Sequence, residues 1–143
     1  INDYQKDRFA QKIIDHFGGD LTGKKIAILG WAFKANTNDS RESPAIYVAE
    51  KLCKAGAILE IYDSMVSKES IFSDIDFYWE SPKTEDLTTR ISVIDSIDTL
   101  DLSYDATAIL TEWEAFKGLD FSKTIVFDGR GILSSSTYSI GKG

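Results

Sequence analysis

With one cysteine and one histidine in 143 residues, the chain lacks the clustered thiolates and imidazoles of a soft-metal centre. The lone Cys53 excludes an internal disulfide, and its neighbours Ala49, Leu52 and Ala55 are those of a buried helix face. Core packing is therefore expected of Cys53 rather than nucleophilic attack, since no base stands beside it in the sequence. No apolar run approaches the roughly 18 residues of a membrane-spanning helix. The opening Ile1-Asn-Asp-Tyr-Gln-Lys-Asp-Arg8 is too polar for a secretory leader, so a cytoplasmic location and no membrane partner are expected. Positive charge is scarce as well: 16 Lys and Arg against 23 Asp and Glu give a net charge of −7. With no local basic patch, nucleic acid is not an expected partner.

What is present is enough apolar residue, 43%, against 27% charged, to bury a core in one domain. Between residues 2 and 17, Tyr4, Phe9, Ile13, Ile14 and Phe17 recur close to a helical stripe, and Gly18-Gly19 supplies a left-handed stop. This helix precedes the first strand, so it reads as a connector from something upstream. Lys25-Ile-Ala-Ile-Leu-Gly30 is a continuous apolar strand covered on both faces. Ser43-Pro44 is an N-cap followed by proline at the first helical position, and Ile46, Ala49, Leu52 and Cys53 give that helix its apolar face. The next strand is Ile58-Leu-Glu-Ile-Tyr62, closed by Asp63.

Further on, 76–80, 91–94, 106–111, 124–127 and 138–140 are strand candidates. Residues 97–102 suit a helical turn and 112–117 a short helix. The alternation predicts an α/β fold, a Rossmann-like doubly wound and mostly parallel sheet with helices on both faces. Two connections, Leu119 to Thr124 and Leu133 to Tyr138, are too short to hold covering helices.

In such a sheet, ligands settle beyond the carboxyl ends of the strands. The connection from Gly30 to Glu42 leaves the first strand there and is long against the usual two to six or so residues, which points to a functional role. It carries Lys34 and Arg41, and Asp128-Gly129-Arg130 leaves another strand at the same edge. Cations brought to one rim in a negatively charged protein suggest a phosphate or diphosphate ligand. The plainer alternative pairs Arg41 with Asp39 or Glu42 and leaves Lys34 in water. Trp31 and Phe33 either pack against a base or fill the core. Asp63 closes the second strand where dinucleotide folds hold a ribose, yet the first turn, Gly30-Trp-Ala-Phe-Lys34, lacks G-x-G-x-x-G. His16 suits the end of its helix as a capping cation. No nucleophile and base pair and no phosphate-cradling glycine loop is present, so the chain reads as a binding half.

Gly30-Trp-Ala-Phe-Lys-Ala-Asn-Thr-Asn-Asp-Ser-Arg-Glu-Ser-Pro44 contains G-x-A-F-K followed by D-x-R-E-S. With Asn2-Asp-Tyr-Gln5, Ile61-Tyr-Asp63, Thr111-Glu-Trp113 and Phe127-Asp-Gly-Arg130, in that order, it resembles the nucleotide-sugar dehydrogenases, above all eukaryotic members acting on UDP-glucose. The resemblance implies that residues 20–143 are a carboxyl-terminal UDP-sugar-binding domain and residues 1–19 the end of the central connecting helix. It implies that Phe33, Lys34 and Arg130 contact the UDP-sugar and that Arg41 reaches NAD. It further implies amino-terminal NAD-binding and central domains as partners in the same enzyme, a homo-oligomer, and oxidation of the sugar C6 hydroxyl with two NAD through a catalytic cysteine. Cys53 does not match that cysteine, so no catalytic residue and no metal ligand is assigned, and the chain alone is expected to be inactive. Gly131 stands where a second arginine is frequent. Two rival readings keep the fold: a dehydrogenase of another sugar nucleotide, such as UDP-N-acetylmannosamine or GDP-mannose, and a noncatalytic assembly domain.

Overall fold

Ile26, Ala27, Ile28 and Leu29 leave β1 (Lys25–Leu29) with no polar side chain beyond its first residue, and all four are fully buried. A strand apolar on both faces must be covered on both, which places β1 at the centre of a sheet. In the computed structural model, which describes residues 3–79, 89–100, 102–129 and 138–139, it is central. β2 (Ile58–Tyr62) and then β3 (Ile91–Val93) lie to one side. β4 (Ala106–Ile109), β5 (Ile125–Asp128) and β6 (Tyr138–Ser139) lie to the other. The order is β3-β2-β1-β4-β5-β6 and every pairing is parallel. The order reverses between β1 and β4, so the crevice that a doubly wound sheet offers to ligands opens beyond their carboxyl ends.

Among the described residues, three α-helices cover one face. α1 (Asp3–His16) buries Phe9, Ala10, Ile13 and Ile14 in one core with Ile46, Ala49 and Leu52 of α2 (Pro44–Lys54) and with Ile26, Ile28, Leu59 and Ile61 of the sheet. Each buried isoleucine, leucine or phenylalanine side chain contributes about 1.5–3 kcal/mol by leaving water. α2 starts as its sequence requires: the Ser43 hydroxyl accepts from the Ala45 N–H at 3.3 Å and proline occupies the first turn. Cys53 is buried on the core side of α2, and burial raises its thiol pKa, so it packs and does not react. His16 sits in the last turn of α1, edge-on to the rings of Phe17 and Phe127.

The opposite face is thinner. Leu29, Tyr62, Ile109 and Val126 pack there with Trp113 and Phe116, beneath two 3-10 turns, Ile97–Thr99 and Glu114–Gly118. The expected helical cover of both faces thus takes unequal form. The short connection between Leu119 and Thr124 holds a turn in which the Thr124 N–H donates to the Phe121 carbonyl at 3.3 Å. The other short connection, 133–138, lies outside the described residues apart from Tyr138.

One expectation is corrected. Residues 76–78 are not a strand but the end of α3 (Lys68–Tyr78), followed by Trp79 as its C-cap; residue 80 is outside the described residues. Ile71, Ile75 and Trp79 recur every four residues and are buried against α2, whereas Phe77 is 78% exposed. The aromatic run favours a strand locally, but Trp79 is anchored by its indole N–H to the Ile46 carbonyl of α2 at 3.0 Å. Tertiary packing overrides the local preference. No helix among the described residues is long and apolar enough to cross a membrane.

Candidate functional site

The parallel register aligns Leu29 with Tyr62 and Ile109, and Ile109 with Asp128, so four strands end along one line. Segments leaving these ends meet at the switch point. Gly30 takes φ +103°, a conformation open to glycine, and its Cα faces Thr111 closely enough that a Cβ would lie 2.4 Å from that residue's Cβ. The Thr111 hydroxyl donates to the Ala32 carbonyl at 2.7 Å, and the Ala35 N–H donates to Glu112 Oε1 at 3.3 Å. The long connection after β1 is therefore fastened to the segment after β4.

Asp63 fastens it to β2. Its Oδ2 accepts from the Trp31 N–H at 2.7 Å, the Ala32 N–H at 2.9 Å and the Trp113 indole at 3.1 Å. Its Oδ1 accepts from Met65 and Val66 N–H groups at 2.8 and 3.0 Å. An ionised carboxylate has about four lone-pair sites, and five donors already surround this one, so no place is left for a ribose hydroxyl. Asp63 is a structural clasp. Asp74 on α3 closes the base from the other side: Oδ2 accepts from the Trp31 indole at 2.9 Å and from the Ser40 hydroxyl at 2.5 Å. Trp31 is wholly buried, which decides its role for core filling. Neither of these roles for Trp31 and Asp74 is signalled by a motif; only the spacing of Ile71, Ile75 and Trp79, which puts Asp74 beside the apolar face of a helix, could have pointed to the second.

The connection thus has a pinned base, residues 30–32 and 40–43, and an exposed tip. Phe33 is 49% exposed and Lys34 is exposed, with no ion pair to Lys34 among the described residues. The Phe33 N–H donates to the Asp39 carbonyl at 2.7 Å, closing the tip on itself. Asn36 and Glu42 hold positive φ angles of 67° and 53°, uncommon outside glycine and consistent with a turn fixed by its surroundings. Arg41 follows the plainer of its two expected courses. Its Nε and Nη2 donate to Asp39 Oδ1 and Oδ2, each at 3.1 Å, and its backbone N–H donates to the same Oδ1 at 3.1 Å. Phe33 and Arg41 are therefore both tied to Asp39, while Lys34, exposed beside them, has no ion pair among the described residues. Arg130 lies outside the described residues. Gly129, which precedes it, donates its N–H to the Ile109 carbonyl at 2.9 Å, at the end of β5. Since β1 and β5 flank β4, their ends are about 10 Å apart.

The Asp39 carboxyl is held below the ordinary aspartate pKa, first by the side-chain bonds from Arg41 and then by the Arg41 backbone N–H; Arg41 is raised in turn by Asp39. A depressed pKa in the folded state supports the tip at pH above the ordinary value, and that support is lost as pH falls through the folded value. Carboxyl NMR titration should find Asp39 low, and Arg41→Ala should return it toward the ordinary value; an unmoved midpoint would contradict the clasp. Among the described residues no group of His, Cys, Asp and Glu is placed to hold a metal ion.

Known proteins resemble this chain in sequence and fold. Residues 27–135 match the UDP-glucose/GDP-mannose dehydrogenase family, UDP binding domain. UDP-glucose 6-dehydrogenase 1 of Arabidopsis thaliana is 39% identical, covering 99% of this chain and 35% of that protein. UDP-glucose 6-dehydrogenase of Rattus norvegicus is 41% identical, covering 93% of this chain and 28% of that protein. The chain thus spans about a third of the length of these relatives. The plant match extends over 169 residues, more than the chain possesses, so that relative carries extra residues within the aligned span. Among solved structures, a UDP-glucose dehydrogenase from the hyperthermophilic archaeon Pyrobaculum islandicum superposes with a TM-score of 0.71 at 26% identity, over 96% of this chain and 29% of that one. A UDP-D-ManNAc dehydrogenase from Pyrococcus horikoshii shares the fold with a TM-score of 0.66 at 21% identity. A parallel sheet whose switch point is bridged by an A-F-K and D-x-R-E-S connection, matched over most of its length, makes this chain a member of the UDP-glucose/GDP-mannose dehydrogenase family, corresponding to its UDP-binding domain.

Proposed function

We propose that the chain is the UDP-sugar-binding part of a UDP-glucose 6-dehydrogenase, a cytoplasmic homo-oligomer that oxidises UDP-glucose to UDP-glucuronate with two NAD, and that on its own it is inactive. The observation that carries the reading is the exposed pair Phe33 and Lys34, set at the rim of the switch point while the residues on either side of the tip are pinned. A diphosphate brings two or more negative charges to that rim. The Lys34 ammonium meets it as a compact point charge, and Arg130, leaving the next-but-one strand, supplies a planar fork for two oxygens. The Phe33 ring offers its face to the apolar side of a sugar or base. Two carboxylates of the rim are already engaged, Asp63 by its five donors and Asp39 by Arg41, so neither claims the Lys34 ammonium.

NAD supplies the hydride acceptor when bound. For it this chain offers Arg41, whose Nη1 makes no hydrogen bond among the described residues and is free to meet a phosphate oxygen. The remainder of the NAD site and the reacting cysteine belong to the other domains of the enzyme.

Calorimetry with UDP on the full-length protein tests the substrate assignment. Lys34→Ala should weaken binding about tenfold and the Lys34→Ala, Arg130→Ala pair about a hundredfold, as expected for charge-assisted bonds lost one at a time. Stability should change by less than about 0.5 kcal/mol for Lys34→Ala, an exposed site. Undiminished affinity in the double variant would end the diphosphate reading and favour an assembly domain. Turnover of UDP-glucose against UDP-N-acetylmannosamine and GDP-mannose by the same protein decides the sugar.

A further inference from the structure

Three of the residues assigned to ligands, Phe33, Lys34 and Arg41, sit within a few positions of Asp39, which has been given no role in binding. The Asp39 carbonyl takes the Phe33 N–H at 2.7 Å and so fixes the start of the exposed tip. Its carboxylate grips Arg41 through Nε and Nη2. Its own N–H donates to the Thr37 hydroxyl at 3.1 Å. The Arg41 side chain is nevertheless 83% exposed and that of Asp39 44% exposed, so the pair contributes little to folding. A bidentate pair that adds little stability still does something specific: it removes the rotamer freedom of a long side chain before a ligand arrives.

We propose that Asp39 is the positioning residue of this rim, its carboxylate orienting the Arg41 guanidinium toward an anionic group of the dinucleotide while its carbonyl sets the Phe33 and Lys34 arm. The geometry explains the orientation. The edge formed by Nε and Nη2 is occupied by Asp39, which leaves Nη1 and the second Nη2 hydrogen to face outward, the edge suited to a phosphate. The inference rests on the assignment of Arg41 to NAD made above. It also separates the two functions of Asp39, because a side-chain substitution removes the grip on Arg41 and leaves the carbonyl bond to Phe33 in place.

The test measures binding on the full-length protein: NAD by fluorescence titration and UDP by calorimetry, for Asp39→Asn, Arg41→Ala and the double variant. Asp39→Asn should weaken NAD by about two- to tenfold, the affinity equivalent of immobilising one flexible side chain, and leave UDP within about twofold. In the Arg41→Ala background the same substitution should change NAD affinity no further, which a merely structural role would not predict. The Arg41 Nε–H resonance, shifted by the ion pair, should move on Asp39→Asn, and Asp39→Glu should restore part of the NAD affinity. Tighter NAD binding by Asp39→Asn would show that the carboxylate competes with the ligand and would overturn the proposal, as would unchanged affinity or additive losses in the double variant. If Arg41→Ala itself leaves NAD affinity untouched, the assignment of Arg41 fails and this inference with it.

Discussion

Replacing Asp63 with alanine is expected to destabilise the protein by about 3–5 kcal/mol, read from the midpoint and slope of urea unfolding. The carboxylate is buried and receives five donors from three separate segments: Trp31 and Ala32 after β1, Met65 and Val66 after β2, and the Trp113 indole after β4. Alanine leaves these groups facing one another in a space that cannot hydrate all of them. Each orphaned buried donor costs about 1–3 kcal/mol, and the total falls short of the sum because they share one site and relax together. Asp63→Asn should lie between wild type and alanine. The amide oxygen can replace Oδ2 for three donors, but the NH2 then confronts the N–H groups of Met65 and Val66. A loss below about 1 kcal/mol for alanine would mean that the clasp is not what joins the segments. UDP binding adds a second readout, since Asp63 holds the base of the tip at Trp31 and Ala32: an Asp63→Ala protein that is still folded should bind UDP more weakly than its residual stability accounts for.

The contrast between Asp63 and Lys34 shows what the sequence could disclose. The strands β1, β2, β4 and β5 were legible because short, mostly apolar runs, unbroken in β1 and holding one polar residue each in β2 (Glu60), β4 (Thr107) and β5 (Asp128), have few other uses in a water-exposed chain. The start of α2 was legible because Ser43-Pro44 acts through local geometry alone. α3 escaped because its stripe is sparse, two isoleucines and a tryptophan, and ends in Phe77-Tyr78-Trp79, three residues whose intrinsic preference is for strands. Ser67, whose hydroxyl accepts from the Ser70 N–H at 3.1 Å, was the signal that could have found it. At the rim, the exposed residues could be named from motif and position, since exposure needs no partner to explain it. The residues that hold them could not. Asp63 and Asp74 act across 32 and 34 positions of chain, on Trp31 and on Ser40 respectively, and such bonds exist only once the sheet is assembled. Asp63 accordingly looks in sequence like a ribose ligand and is in the fold a fastening.

Gly30→Ala should be among the most damaging single methyl groups that can be added to this protein, costing about 2–6 kcal/mol from overpacking and backbone strain together. The residue has φ +103°, and the new Cβ would meet Thr111 Cβ at 2.4 Å, its backbone N at 2.5 Å and its Oγ1 at 2.5 Å. A flexible side chain could swing aside, but the backbone of Thr111 cannot. The Leu110 N–H is bonded to the Leu29 carbonyl at 2.9 Å and the Thr111 hydroxyl to the Ala32 carbonyl at 2.7 Å, so β1 and β4 are locked together on both sides of the clash. Gly19→Ala is the control: φ is +95° there too, but nothing lies within 4 Å, so only the strain of about 1–2 kcal/mol should appear. Combining Gly30→Ala with Thr111→Gly should recover part of the loss by removing the Cβ contact and no more, because the backbone N at 2.5 Å remains. Full recovery would mean that the side chain alone forms the wall. A backbone wall has a consequence for the site. At the switch point the two strand ends approach to a distance that only a residue without a side chain permits, and it is this closeness that lets Thr111 seize Ala32 and fix the base from which Phe33 and Lys34 project. Any Gly30→Ala protein that still folds should therefore lose UDP affinity by more than its residual stability accounts for, by calorimetry at a temperature where it is fully folded.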